Sequence, residues 1–124
     1  MSERVPSDHA SVTNHRATLA RSGGTRRPCL RLPEGVDVAE GDVVRLLLGG
    51  ATTHARISAD AEGLLVRGAY DNERLARNPR EGENRLVGWC DDHDLNPEDA
   101  VELDELDSGF CYGLRSPGDR VVYD

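Results

Sequence analysis

Asp42-Val-Val-Arg-Leu-Leu-Leu-Gly-Gly-Ala-Thr-Thr-His-Ala-Arg-Ile-Ser58 decides the fold. A β-branched and leucine-rich run ends in Gly49-Gly50, and a second apolar-containing run follows at once. Two glycines between such runs predict a two-residue hairpin, because the turns that match strand twist need positive φ. Period two in the second run sets Thr52, His54, Arg56 and Ser58 on one face. Ala51, Thr53, Ala55 and Ile57 face the other way, toward a core.

Outward from this hairpin the same grammar repeats. On the N-terminal side, Ser22-Gly23-Gly24-Thr25 is a turn by composition. It predicts a hairpin of about 12–21 with 25–32, in which Val12, Ala17, Leu19, Cys29, Leu30 and Leu32 are the apolar residues. Pro28 has no amide to donate, so the start of the second strand is an edge or a bulge. On the C-terminal side a turn over 59–63 leads to a strand over 64–70. Asp71 or Asn72 then caps a short helix through Ala76. Asn78-Pro79-Arg80-Glu81-Gly82 breaks it, and a second helix runs from Asn84 to Cys90 or Asp92. Ala100–Leu106 alternates Val101 and Leu103 with Glu102 and Asp104, a half-buried strand. Short strands over 110–114 and 121–123 close the chain. The expected class is α+β, mostly β: a small barrel or pseudobarrel of about seven short strands with one helical insert.

A length of 124 residues fits one domain. The expected organisation is a flexible polar segment over 1–10 and a single β-rich domain over 11–124. Two passages inside it, Leu30–Leu46 and Leu86–Leu103, share a pattern. Each has an apolar start, a polar stretch, an isolated apolar residue (Val38 or Leu95), an acidic turn and a Val-x-Leu strand. They suggest two related half-units, about 11–58 and 64–124.

Charge is divided along the chain. Residues 1–32 hold six arginines against Glu3 and Asp8, near +4, and residues 33–124 hold nine against 21 acids, near −12, which together give the net −8. All fifteen basic residues are arginine. The acidic, lysine-free composition fits adaptation to a salty cytoplasm. The local arginine excess is what calls for a partner. Arg16, Arg21, Arg26, Arg27 and Arg31 flank the Gly-rich turn and form the candidate nucleic-acid set, since arginine forks grip phosphate bidentately. The competing reading is a solvated hairpin whose arginines pair with the acidic body. Arg67, Tyr70, Asp71 and Asn72 form a second candidate cluster at a strand-to-helix junction, with helix capping as the plain alternative.

Other function classes find little support. No run approaches the ~20 apolar residues of a membrane span, and the start lacks an apolar signal core. A soluble, cytoplasmic protein is expected. Cys29, Cys90 and Cys111 have no paired spacing, so buried thiols are expected rather than disulfides or zinc ligands. Asp91-Asp92-His93-Asp94 lacks cation-loop spacing. Gly-x-Ser-x-Gly, Gly-Lys-Ser/Thr and His-Glu-x-x-His motifs are absent. Neither catalytic residues, a metal nor a cofactor is expected.

The passage containing Arg26, Arg27, Leu30, Leu32, Pro33, Val38, Gly41, Asp42, Val43 and Val44 resembles the swapped-hairpin barrels of AbrB-like transcription regulators. In those an arginine-rich hairpin runs into strand, proline, short helix and a Gly-Asp turn. The resemblance implies a barrel built from two halves and DNA binding through the hairpin. Over nearly its whole length the chain is similar to an uncharacterised family of small acidic proteins from halophilic archaea. That similarity rests on Ser7-Asp-His, Arg16–Pro28, Arg67–Asn72 and Tyr112–Gly118, and implies no activity. The expected function is DNA or RNA binding by a regulator-like barrel. The alternative is a protein-interaction module whose hairpin docks an acidic protein partner or a second copy, as a homo-oligomer.

Overall fold

In the computed structural model, which describes residues 5–21 and 27–123, strand pairing follows the hairpin signals closely. The strands are β1 (Val5–Pro6), β2 (Thr13–Arg21), β3 (Pro28–Arg31), β4 (Val43–Leu48), β5 (Ala51–Asp60), β6 (Gly63–Val66), β7 (Ala100–Asp107), β8 (Cys111–Arg115) and β9 (Val122–Tyr123). Seven of them close a barrel in the order β2-β3-β6-β5-β4-β8-β7, and β1 pairs with β9 in a separate ribbon. Every barrel contact is antiparallel except β4 with β8, which is parallel. The helical insert lies between β6 and β7 and contains α1 (Glu73–Arg77), a 3-10 turn at Pro79–Glu81 and α2 (Arg85–Asp92).

The Gly49-Gly50 turn puts Leu48 opposite Ala51, as a two-residue hairpin must. Thr53, Ala55 and Ile57 are buried, while His54 and Ser58 are half-exposed and Thr52 and Arg56 exposed. Inside the barrel Leu19, Leu30, Leu46, Ile57, Val66, Val101, Leu103 and Leu114 form one apolar cluster, and Leu86, Trp89 and Cys90 of α2 join it. Each leucine so buried is worth ~1.5–3 kcal/mol in transfer from water. Among the described residues no helix is long and apolar enough to cross a membrane.

The barrel is built from an internal repeat. Ala39 N donates to the Asp42 carboxylate at 2.9 Å, and Asn96 N donates to the Asp99 carboxylate at 2.8 Å. Gly41 N then bonds Ile57 O and Ile57 N bonds Asp42 O; Glu98 N bonds Leu19 O and Leu19 N bonds Asp99 O. The strands that follow pair in the same register, Val43 with Arg56 and Val44 with Ala55, Ala100 with Thr18 and Val101 with Ala17. Val38 and Leu95, the isolated apolar residues before the two turns, both pack against the core. The repeating units are therefore β2-β3-β4 and β5-β6-β7, dividing at Gly49-Gly50 rather than between 58 and 64. The strand after each acidic turn pairs with the first strand of the other unit. β8 is an extra strand inserted between β4 and β7.

Val5 and Pro6, within the segment expected to be flexible, pair with Tyr123 and Val122. The helix expected from Asn84 is present as α2, so Leu86 lies in a helix where Leu30 lies in β3, and the second passage shares its turn and strand with the first but not its beginning. Between Pro33 and Gly41 the chain is an irregular loop, at the place where the AbrB-like pattern carries a short helix. Gly35 and Gly41 hold φ near +95°, which breaks helical continuity.

Candidate functional site

Arg16, Arg21 and Arg31 lie on the paired strands β2 and β3 and Arg27 just before β3, but they are not equivalent: Arg16 and Arg31 share the outward face, whereas Arg21 falls at the strand end on the face of Ala17 and Leu19. Arg16 and Arg21 are exposed and make no ion pair or side-chain hydrogen bond among the described residues. Arg27 is exposed at the base of the hairpin and lines a cleft with Tyr70. Arg26, together with the Ser22–Thr25 turn, lies outside the described residues. Arg31 has its acid: its two NH groups reach the Asp60 carboxylate at 2.7 Å each, and Glu62 lies at 3.5 Å. That fork holds the Asp60 carboxyl well below the usual carboxylate range. The docked-on-body reading thus applies to Arg31, while Arg16 and Arg21 keep their donors.

The second cluster separates into local roles. Asn72 caps α1, its Oδ1 accepting from Leu75 N at 2.9 Å. Asp71 accepts from Arg85 at 2.9 and 3.2 Å, which lowers its pKa. The Arg67 carbonyl accepts from Asn84 Nδ2 at 3.2 Å. Tyr70 bridges His54 through backbone hydrogen bonds of 2.7 and 2.8 Å. Burial raises its phenol pKa, with Arg27 opposing. Of the four, only Tyr70 borders the open space beside α2.

That space is a cleft of about 610 Å³ between α2 and the barrel mouth. Arg27, Tyr70, Asn84 and Arg85 contribute donors, and Glu83, Asp91 and Asp92 contribute acids. Of the Asp91–Asp94 run, Asp91 and Asp92 are the acids that line the cleft. Among the described residues no group of three or more His, Cys, Asp or Glu is placed to hold a metal ion. The cleft lining supplies ionic and hydrogen-bonding groups.

Sequence reasoning missed two clusters. The first surrounds Asp104, which has no exposed surface. Its carboxylate accepts from Arg115 at 2.8 and 3.2 Å, from Asn14 at 2.6 Å and from Tyr123 OH at 2.5 Å. Asn14 also donates to Ser7 O, and Ser7 bonds Val121, so this network ties the β1–β9 ribbon to the barrel's outer wall. Burial first, then the Asp104 carboxylate, raise the Tyr123 phenol pKa, which keeps it protonated and donating. The second cluster, Arg45, His54 and Phe110, lies on β4, β5 and the turn before β8. The available sequence signal was His54 and Arg56 on the outward face.

The molecule is a closed, internally repeated mixed barrel with a basic hairpin and a polar cleft. The chain belongs to a family of unknown function, DUF7112, whose model matches residues 1–124. No curated protein and no solved structure matches it.

Proposed function

We propose that the protein binds nucleic acid, as a regulator-like barrel, through its β2–β3 arginine hairpin. The observation that carries this reading is that Arg16 and Arg21, on a chain of net charge −8, are exposed and form no ion pair among the described residues, although Arg16 stands opposite Glu102 in the β2–β7 register. Elsewhere Arg31, Arg74, Arg77, Arg85, Arg115 and Arg120 each hold a carboxylate, whereas Arg45, Arg56 and Arg80 form no ion pair among the described residues. An arginine that binds no carboxylate retains its planar donor fork for phosphate. The resemblance of Arg26–Val44 to AbrB-like regulators supports the same reading, and strand exchange between two half-units suits it.

The repeat adds an asymmetry. The β5–β6 turn, equivalent to the basic hairpin, carries Asp60 and Glu62. Only one of the two hairpins therefore offers positive charge. In a salty cytoplasm, with a Debye length of ~3 Å at 1 M, long-range steering is lost and direct arginine–phosphate bonds carry the affinity. The test is a titration of duplex DNA and of RNA with wild type and an Arg26→Ala/Arg27→Ala variant. Weaker binding by the variant is expected. No binding by either protein, or equal binding by both, overturns the reading.

A further inference from the structure

Phe110 is the chain's one phenylalanine, and 69% of its surface is exposed. Trp89, Tyr112 and Tyr123 are buried and Tyr70 is half-buried, so an aromatic-poor chain leaves a large ring in water at a single place. The ring is firmly presented. Phe110 N donates to Asp107 O at 2.9 Å, and Gly109, at φ +82°, donates its N–H to Tyr112 OH at 2.7 Å. Arg45 N donates to Phe110 O at 2.8 Å, and Arg45 stands opposite His54 in the β4–β5 register. Phe110, Arg45 and His54 thus form a row across the barrel wall.

The row borders a hollow of about 380 Å³, also lined by Val43, Glu73, Asp107 and Cys111. Arg45 is exposed and pairs with no carboxylate among the described residues, and His54 Nδ1 is buried without a hydrogen-bond partner. Glu73 is occupied by Arg77 at 3.0 Å. The Asp107 carboxylate has no ion pair among the described residues. The hollow therefore offers a stacking face, a cation and a free acceptor, with the His54 ring in its wall.

We propose that this hollow binds a nucleobase carrying a phosphate, the base stacked on Phe110, the phosphate on Arg45 and an amino edge of the base on Asp107. Stacking on an exposed aromatic tolerates any base, and a carboxylate accepts from exocyclic amino groups. A plain anion would leave Phe110 unused, and an apolar ligand would leave Arg45 unused. The volume is at the small end for ligand sites and fits one nucleotide unit. That unit is a free nucleoside monophosphate or one residue of a single strand. β4 is separated from β2 by β8 and β7 on one side and by β5, β6 and β3 on the other, so the site is independent of the hairpin.

The test is amide NMR of the full chain with adenosine, guanosine and cytidine monophosphates, inorganic phosphate, and a short single-stranded oligonucleotide. Resonances of Arg45, His54, Phe110 and Cys111 should shift with the nucleotides. Phe110→Ala should weaken binding about 5- to 100-fold, as loss of one stacking contact implies, and Phe110→Trp should retain it. Arg45→Gln should weaken the monophosphates but not the matching nucleosides. Saturation by a monophosphate with no gain from the strand assigns a free nucleotide; about tenfold tighter binding of the strand assigns nucleic acid. No shifts in this row, equal binding of inorganic phosphate alone, or an unchanged Phe110→Ala overturns the proposal. Arg26→Ala/Arg27→Ala should leave these shifts intact, so the two proposals fail separately.

Discussion

Asp104 is the residue on which the outer wall depends. Its three side-chain donors satisfy a carboxylate with no exposed surface, and removing the acid leaves Arg115 beside an empty pocket. Asp104→Ala should cost about 3–5 kcal/mol in chemical denaturation, the range for breaking a buried pair by one partner. Tyr123→Phe should cost about 1.5–3 kcal/mol, because it deletes a hydrogen bond to a charged group. In the sequence Asp104 reads as the solvent side of an alternating strand, and it does lie outside the barrel. Alternation tells which face a residue takes but not what covers that face, and here the covering ribbon comes from both ends of the chain. Gly113 makes the cover possible: a Cβ there would overlap the Tyr123 ring. Asp60 is a surface counterpart. Arg31 depresses its folded pKa below the 3.8 of a free aspartate, so its contribution is full above that value and is lost as pH falls through the folded one. Asp60→Asn should flatten this part of the acid limb of a stability–pH curve, measured by thermal melts below about pH 5.

At the scale of elements, caps and turns were the most legible features. Asn72 and Asn84 both cap helices as their side-chain chemistry suggests, and Gly49-Gly50 fixes its hairpin. Asn84 has a further duty that spacing did not reveal. Its Oδ1 accepts from Leu86 N and Ala69 N, and its Nδ2 donates to Arg67 O, so it joins α2 to the segment after β6. Asn84→Ala should therefore cost about 2 kcal/mol, at the upper end for a cap, by urea denaturation. α2 also buries Cys90, and burial pushes that thiol up to about 12. Native protein at neutral pH should leave Cys90 unmodified by a thiol reagent, and unfolded protein should expose it to full modification.

At the scale of the whole molecule, the repeated acidic turn was readable but its consequence was not. Similar turns before β4 and β7 were visible as Gly41-Asp42 and Glu98-Asp99. That the strand after each turn crosses to the opposite half-unit depends on long-range pairing, which no local pattern encodes. The same limit applies to function. The arginine excess around β2 and β3 was legible as composition, but the capture of Arg31 by Asp60 needed the fold to bring β3 beside the β5–β6 turn. Phe110 and Arg45 are far apart in sequence and meet only because β8 lies parallel to β4.

The most direct test of the central proposal is the salt dependence of nucleic-acid binding. If Arg16, Arg21, Arg26 and Arg27 each take a phosphate, log K against log salt should fall with a slope of about −3 to −4 on duplex DNA. Arg26→Ala/Arg27→Ala should reduce that slope by about 2. An identical slope in both proteins, or no measurable binding at the lowest salt in which the fold persists, would contradict the account.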